Sequence, residues 1–141
     1  MPFYRVQNAV YSHLVRWATT GVAPPVAPRI TRSALLRRIQ RDSNGNALGG
    51  LRLPEIDVPF AKYGIDNSTD GSLEFLDLFA CVTSGSTEMF SASKLNSLYS
   101  SRTDYYNKYK AAADRALAAG YILPADHAKA LQQAAVAPIP R

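Results

Sequence analysis

Proline placement limits what this chain can fold into. Pro24, Pro25 and Pro28 follow Gly21 closely, and Pro54 and Pro59 flank the stretch Ile56-Asp57-Val58. Proline has a fixed φ and no backbone N–H, so it ends helices and stays out of central strands. Residues 4–19 must therefore form an element of their own. Within them Val6, Val10, Leu14 and Trp17 recur at three-to-four spacing, which gathers one apolar face of an amphipathic helix. Gly21 supplies the C-terminal stop, and the prolines beyond it predict a stiff, extended connector.

The middle of the chain reads as β-prone and turn-rich. Residues 35–41 alternate imperfectly, and Ser43-Asn44-Gly45-Asn46 is a turn signal because Asn and Gly tolerate positive φ. The pair Gly49-Gly50 predicts a bulge or a close backbone approach. Residues 55–61 read as a second extended segment, kept to an edge or an irregular crossover by Pro54 and Pro59. Residues 64–72 are polar enough for a surface loop. Residues 73–82 are apolar enough to bury, though periodicity does not fix their type.

The last third predicts helices. Ser91 or Ser93 can cap a short one through about Tyr99. Thr103 can cap a longer one that runs to Ala119 and stops at Gly120, with Tyr106, Tyr109, Ala113, Ala116 and Leu117 on one face. Pro124 suits the first turn of a final helix reaching about Ala135. Residues 136–141 should fray. The fold class is α+β: helices at both ends around a β-rich middle with a hairpin near Asn44-Gly45. At 141 residues there is room for one domain, 1–141.

Composition excludes several functions. No apolar run approaches the roughly 20 residues of a membrane span. The N-terminus lacks a signal-peptide pattern, so a cytoplasmic location is the default expectation. Asn67-Ser68-Thr69 fits a glycosylation acceptor, which matters only in a secreted chain. Cys81 is the single cysteine, so no internal disulfide can form, and a small buried hydrophobe is its expected role. One cysteine with distant His13 and His127 gives no zinc pattern, and Asp66, Asn67 and Asp70 do not follow the EF-hand series. No phosphate-binding glycine loop is present, and neither a metal nor a cofactor is expected.

The net charge is +5, with Arg29, Arg32, Arg37, Arg38 and Arg41 in one short segment. Such a basic patch could meet phosphates. Aromatic residues that would stack bases lie elsewhere, near Tyr99 to Tyr109, so nucleic-acid binding is the minor reading. A solvated edge or a protein contact is favoured.

Several runs together resemble the C-terminal region of the alpha/beta hydrolase domain family. They are Asn44-Gly45-Asn46-Ala47-Leu48-Gly49-Gly50-Leu51-Arg52-Leu53-Pro54, Ile56-Asp57-Val58-Pro59 and Tyr63-Gly64. Ser84-Gly85-Ser86-Thr87 with Phe90, the Leu98-Tyr99 helix, and Ala119-Gly120-Tyr121-Ile122-Leu123-Pro124 follow in the same order. Leu14-Val15-Arg16-Trp17 and the paired prolines match upstream. The resemblance covers nearly the whole chain. It implies that the nucleophile, the acid and the catalytic histidine of a full-length relative would precede this region.

The residues agree with that implication. A nucleophile elbow needs Gly-x-Ser-x-Gly to expose the serine beside oxyanion-binding N–H groups, and no such pentapeptide occurs in the 141 residues. Ser84-Gly85-Ser86-Thr87 lacks the second glycine. His13, beside the apolar helix face, reads as a packed, hydrogen-bonded histidine. His127 reads as exposed, and its neighbour Asp126 cannot orient it in the triad manner, since adjacent helical side chains diverge. No catalytic residue is assigned. The favoured function is a non-catalytic structural or interaction subunit, self-associating or partner-bound through Val6, Val10, Leu14 and Trp17. The alternatives are a pocket-shaping half of a hydrolase completed by another chain, and an anion or nucleic-acid binder through the arginine segment.

Overall fold

The computed structural model describes residues 2–35, 38–64 and 85–139. Within them α1 spans Tyr4–Thr20, α2 Pro54–Asp57, β1 Ala61–Gly64, β2 Ser86–Met89, α3 Ala92–Leu98, α4 Arg102–Ala118 and α5 Pro124–Ala135. The α+β class and the N-terminal helix are as expected. Cys81, the glycosylation pattern at Asn67, most of the loop at 64–72 and the apolar stretch at 73–82 lie outside the described residues, as does Arg37.

Local chemistry explains most element boundaries. Gly21 closes α1 at φ 74°, with its N–H bonded to the Trp17 carbonyl, a left-handed cap that glycine takes without a Cβ clash. Ser91 caps α3, its Oγ accepting from the Lys94 N–H at 3.2 Å. Ser101, rather than Thr103, caps α4 by accepting from the Asp104 N–H at 3.0 Å. The Asp104 carboxylate in turn accepts from the Ser100 N–H at 3.0 Å, which ties the residue before the cap to the first turn. Pro124 stands in the first turn of α5, where its missing N–H costs nothing.

Residues 30–49 are held by three isolated antiparallel bridges, Ile30 with Gly49, Arg32 with Ile39 and Arg41 with Ala47. The expected turn at Asn44-Gly45 closes the last of them. Asp42 organises it, its Oδ1 accepting from the N–H groups of Asn44 at 2.9 Å and Asn46 at 3.0 Å. Gly49 makes the expected close approach: at φ 68°, an added Cβ would sit inside van der Waals contact of the Arg29 carbonyl oxygen.

The extended segment expected over residues 55–61 is corrected at its start, where Pro54–Asp57 form one helical turn. Pro54 is pre-set for the first helical position, and Glu55 and Asp57 favour the positive end of that turn. Pairing begins only at Ala61, which lies opposite Met89 in the antiparallel β1–β2 ladder. The buried Asn46 joins turn to strand, donating to the Ala61 carbonyl at 3.3 Å and accepting from the Tyr63 N–H at 2.8 Å. Arg52 joins the turn to α2 by bonding Asp42 at 2.9 Å and Asp57 at 2.6 Å.

The main core lies where α4 crosses α5. Ala112 and Ala113 of α4 are buried in one cluster with Ala130 and Ala134 of α5, small residues that let the backbones approach. Tyr99, Tyr105 and Tyr109 extend this core toward β1, the first two edge-to-face with centroids 5.0 Å apart. Of residues 136–141, expected to fray, 140 and 141 lie outside the described residues and Val136 is 80% exposed, while Ala137 and Ile139 pack on the core and the Ile139 carbonyl accepts from Arg102 Nε at 3.1 Å.

A buried charge docks α1. Arg5 is 1% exposed. Its Nη1 bonds Glu55 Oε1 of α2 and lies 3.2 Å from the Tyr109 hydroxyl of α4, while Nη2 reaches Gln133 Oε1 of α5 at 2.5 Å. The Tyr109 hydroxyl also donates to Glu55 Oε1 at 2.5 Å. Burial works to lower the Arg5 pKa, but the Glu55 charge and the tyrosine hydroxyls outweigh it and hold the guanidinium charged. Removing one partner of a buried pair leaves the other uncompensated, at a cost of about 3–5 kcal/mol. Arg5→Met should therefore lower the urea-unfolding free energy by that amount, whereas Arg5→Met combined with Glu55→Met should recover most of it. Gly49→Ala should cost about 1–3 kcal/mol from backbone strain, read from the same titrations.

Candidate functional site

The rotation of α1 decides what its sequence face can do. Arg5 and Ala9 are its buried residues, and His13 one turn on is half-buried, its Nε2 2.8 Å from the Gly120 carbonyl. That makes His13 the packed, hydrogen-bonded histidine expected. One residue along a helix is a turn of about 100°, so the stripe beginning at Val6 faces away from the Arg5 side. Val6 is half-buried, while Val10, Leu14 and Trp17 are 56%, 52% and 52% exposed. Tyr11 and Val15 extend this uncovered surface.

The arginine segment lies along the bridged region. Arg29, Arg32 and Arg38 are exposed. Arg41 is half-buried, and its Nη1 donates to the Gly45 carbonyl at 3.0 Å, which ties it to the turn. The bridges place Arg32 and Arg41 on different backbone pairs.

The second histidine is a different case. His127, expected to be exposed, is half-buried, and its Nε2 lies 2.7 Å from Asp114 Oδ1 of α4. Asp126 plays no part in orienting it. That carboxylate is buried and accepts from Asn8 Nδ2 of α1 at 3.0 Å. Asp114 is held below the usual carboxylate range, first by Lys110 and then by His127. The His127–Asp114 pair joins α5 to α4, and Lys110 Nζ bonds the other Asp114 oxygen at 2.6 Å. Among those residues no group of three or more His, Cys, Asp or Glu side chains could hold a metal ion.

Sequence reasoning missed the most chemically loaded place in the fold. A cavity of about 340 Å³ opens between α2, β1, α4 and α5. Its apolar wall includes Phe60, Ala134, Val136 and Ala137, and its polar wall is Glu55, Tyr63, Thr87, Tyr105, Tyr109 and Gln133. Glu55 is 4% exposed, and its Oε1 receives both Arg5 and Tyr109 while its Oε2 has no partner among the described residues. Glu55 and the tyrosines lie 8 to 54 positions apart in sequence, so no local motif marks them. The density of tyrosines between Tyr99 and Tyr109 was the available signal, and it reads equally well as core.

Burial, followed by the charge of Glu55, raises the tyrosine pKa values. Tyr63 is pushed up to about 12. Tyr109 is raised above the usual range by burial, then by Glu55. Tyr105 is raised in the same direction by burial and by neighbours that include Tyr99 and Glu55. A neutral phenol is the protonated form, so the folded chain holds protons that the unfolded chain releases near pH 10. This contribution to stability is complete below pH 10 and is lost as pH rises above it. Alkaline titration should therefore show phenolate absorbance and loss of helical circular dichroism rising together above pH 10. Early phenolate formation by these tyrosines in a chain still folded would contradict it.

No helix among the described residues is long and apolar enough to cross a membrane. No curated protein and no solved structure matches the chain. The model of the alpha/beta hydrolase domain matches residues 1–132, which takes in every described helix and strand except the last three residues of α5. On that match the chain belongs to the alpha/beta hydrolase domain family.

Proposed function

We propose that this chain is a non-catalytic interaction lobe of an alpha/beta-hydrolase-type assembly, docking through the outward face of α1. One observation carries this reading: Val10, Leu14 and Trp17 stand half or more exposed on a well-formed helix whose buried side is Arg5 and Ala9. Single exposed hydrophobes are ordinary, but Tyr11 and Val15 make these contiguous, and contiguous apolar surface marks contact sites. Full burial of such a side chain is worth about 1.5–3 kcal/mol, so covering several supports association. The family's hydrolytic chemistry needs a nucleophile elbow, and the 141 residues contain none.

A second reading has its own support. The cavity beside Glu55, with its apolar wall and grouped hydroxyls, suits a pocket-shaping half of a hydrolase whose nucleophile lies on another chain. The two readings are compatible, since the α1 face could be where that chain docks.

Size-exclusion chromatography with light scattering should show a dimer or larger species at micromolar concentration. Leu14→Asp with Trp17→Asp should return a monomer whose helical circular dichroism matches the wild type, because exposed positions contribute little to folding of the chain itself. A wild-type monomer would remove self-association and leave only a different partner. Hydrolysis of a simple aryl ester above background by the purified chain would overturn the non-catalytic assignment.

A further inference from the structure

We propose that the outward strip of α1, with the arginines near its N-terminal end, receives an acidic amphipathic helix of a partner protein. This rests on the docking reading above and names the chemistry of the partner. Charge and exposed apolar surface are both segregated along the chain. Residues 1–41 contain seven arginines and no Asp or Glu, whereas residues 42–141 hold nine Lys and Arg against eleven Asp and Glu. Eleven of the fourteen exposed large apolar side chains among the described residues also lie in residues 1–41. A solvated surface ordinarily intersperses both signs of charge. Here the uncovered apolar area has only cations in its own part of the chain.

The fold brings the two features together. Phe3, just before α1, already has helical φ and ψ, and Phe3, Val10, Leu14 and Trp17 are spaced to form one strip. Phe3 is 62% exposed and shares the wall of an apolar hollow of about 290 Å³ with Ile30, Ile39, Leu51 and Ile56. The chain thus returns from the far end of α1 to its start, and the hollow continues the strip there. Arg29 precedes Ile30, while Arg32 pairs across a bridge with Ile39, the neighbour of Arg38. All three arginines are exposed. No carboxylate lines the hollow, and Arg52 on its wall is already matched by Asp42 and Asp57. An apolar side chain of a partner helix can anchor in the hollow, with carboxylates beside it meeting the guanidinium groups. A second copy of the chain would cover the strip but bring the same acid-free stretch, which leaves these arginines unmatched.

Three synthetic helical peptides with one leucine face test the idea on the full chain, their flanks carrying glutamate, glutamine or lysine. In fluorescence anisotropy at low salt, the glutamate peptide should bind about tenfold tighter than the glutamine peptide, as a few exposed ion pairs together allow. The lysine peptide should bind more weakly than both. At about 1 M salt, where charges are screened beyond about 3 Å, the glutamate and glutamine peptides should converge. Arg29→Gln, Arg32→Gln and Arg38→Gln combined should remove the glutamate preference while helical circular dichroism and glutamine-peptide affinity stay unchanged. Leu14→Asp with Trp17→Asp should abolish binding of every peptide. Equal affinity for the glutamate and glutamine peptides, or a glutamate preference that survives in the arginine variant, would overturn the acidic partner and leave docking at α1 standing. If no peptide binds, docking at α1 fails and the proposal with it, and phosphatidylserine vesicles that bind in that case would assign the strip to a membrane surface.

Discussion

The Arg5–Glu55 pair sets the rest of this fold. A buried guanidinium is tolerable only when its charge is matched and its donors are mostly used, because desolvation is otherwise prohibitive. Here one arginine from α1 reaches α2, α4 and α5 at once, through Glu55, Tyr109 and Gln133. Four elements from distant parts of the chain are fixed in one geometry. The contact is directional, so it fixes the rotation of α1 as well as its position. An apolar contact in its place would have left the helix freer to roll toward its larger hydrophobes.

That rotation has a consequence for function. Val10, Leu14 and Trp17 would bury more apolar area than Arg5 and Ala9, yet they face outward. Turning them inward would break the ion pair and strand Glu55 beside Tyr109, at a cost comparable with burying two large side chains. The chain therefore keeps its uncovered apolar helix face because the alternative packing loses the charge match. The exposed face is therefore a property of the folded chain itself, present without any change of conformation.

How much of this was legible in the sequence depended on the range of the cause. Gly21, Ser91, Gly49 and Pro124 act on their own backbone or on the next turn, and each is found in the role its residue type suggests. The same holds for the Asn44-Gly45 turn and the helices at both ends. Ser101 and not Thr103 is the cap, its hydroxyl holding the Asp104 N–H while the Asp104 carboxylate holds the Ser100 N–H, an effect over several residues that a single-residue preference overlooks. Residues 54–57 turned helical because the proline pre-sets the first turn, where an extended segment was expected from residue 55 onward. The candidate site was not legible at all. Arg5 and Glu55 are fifty positions apart, and in sequence Arg5 sits next to the hydrophobic stripe, where an arginine reads as solvated. Only the tertiary fold shows that it is the most buried charge on the helix.

Glu55 then connects stability with the cavity. Of its two oxygens, one holds α1 and α4 and the other is buried without a partner among the described residues. A carboxylate used only as a structural anchor gains from having both oxygens hydrogen-bonded, since each unmatched buried acceptor weakens the fold. Burying one with half its capacity unused is costly, and a purely structural pair could have avoided that with a nearby hydroxyl. Tyr63 and Tyr105 carry such hydroxyls on the same cavity wall, yet neither bonds to it. Glu55 thus anchors α1 and α4 through one oxygen, while its second oxygen and Arg5 Nε stay buried and unpaired among the described residues.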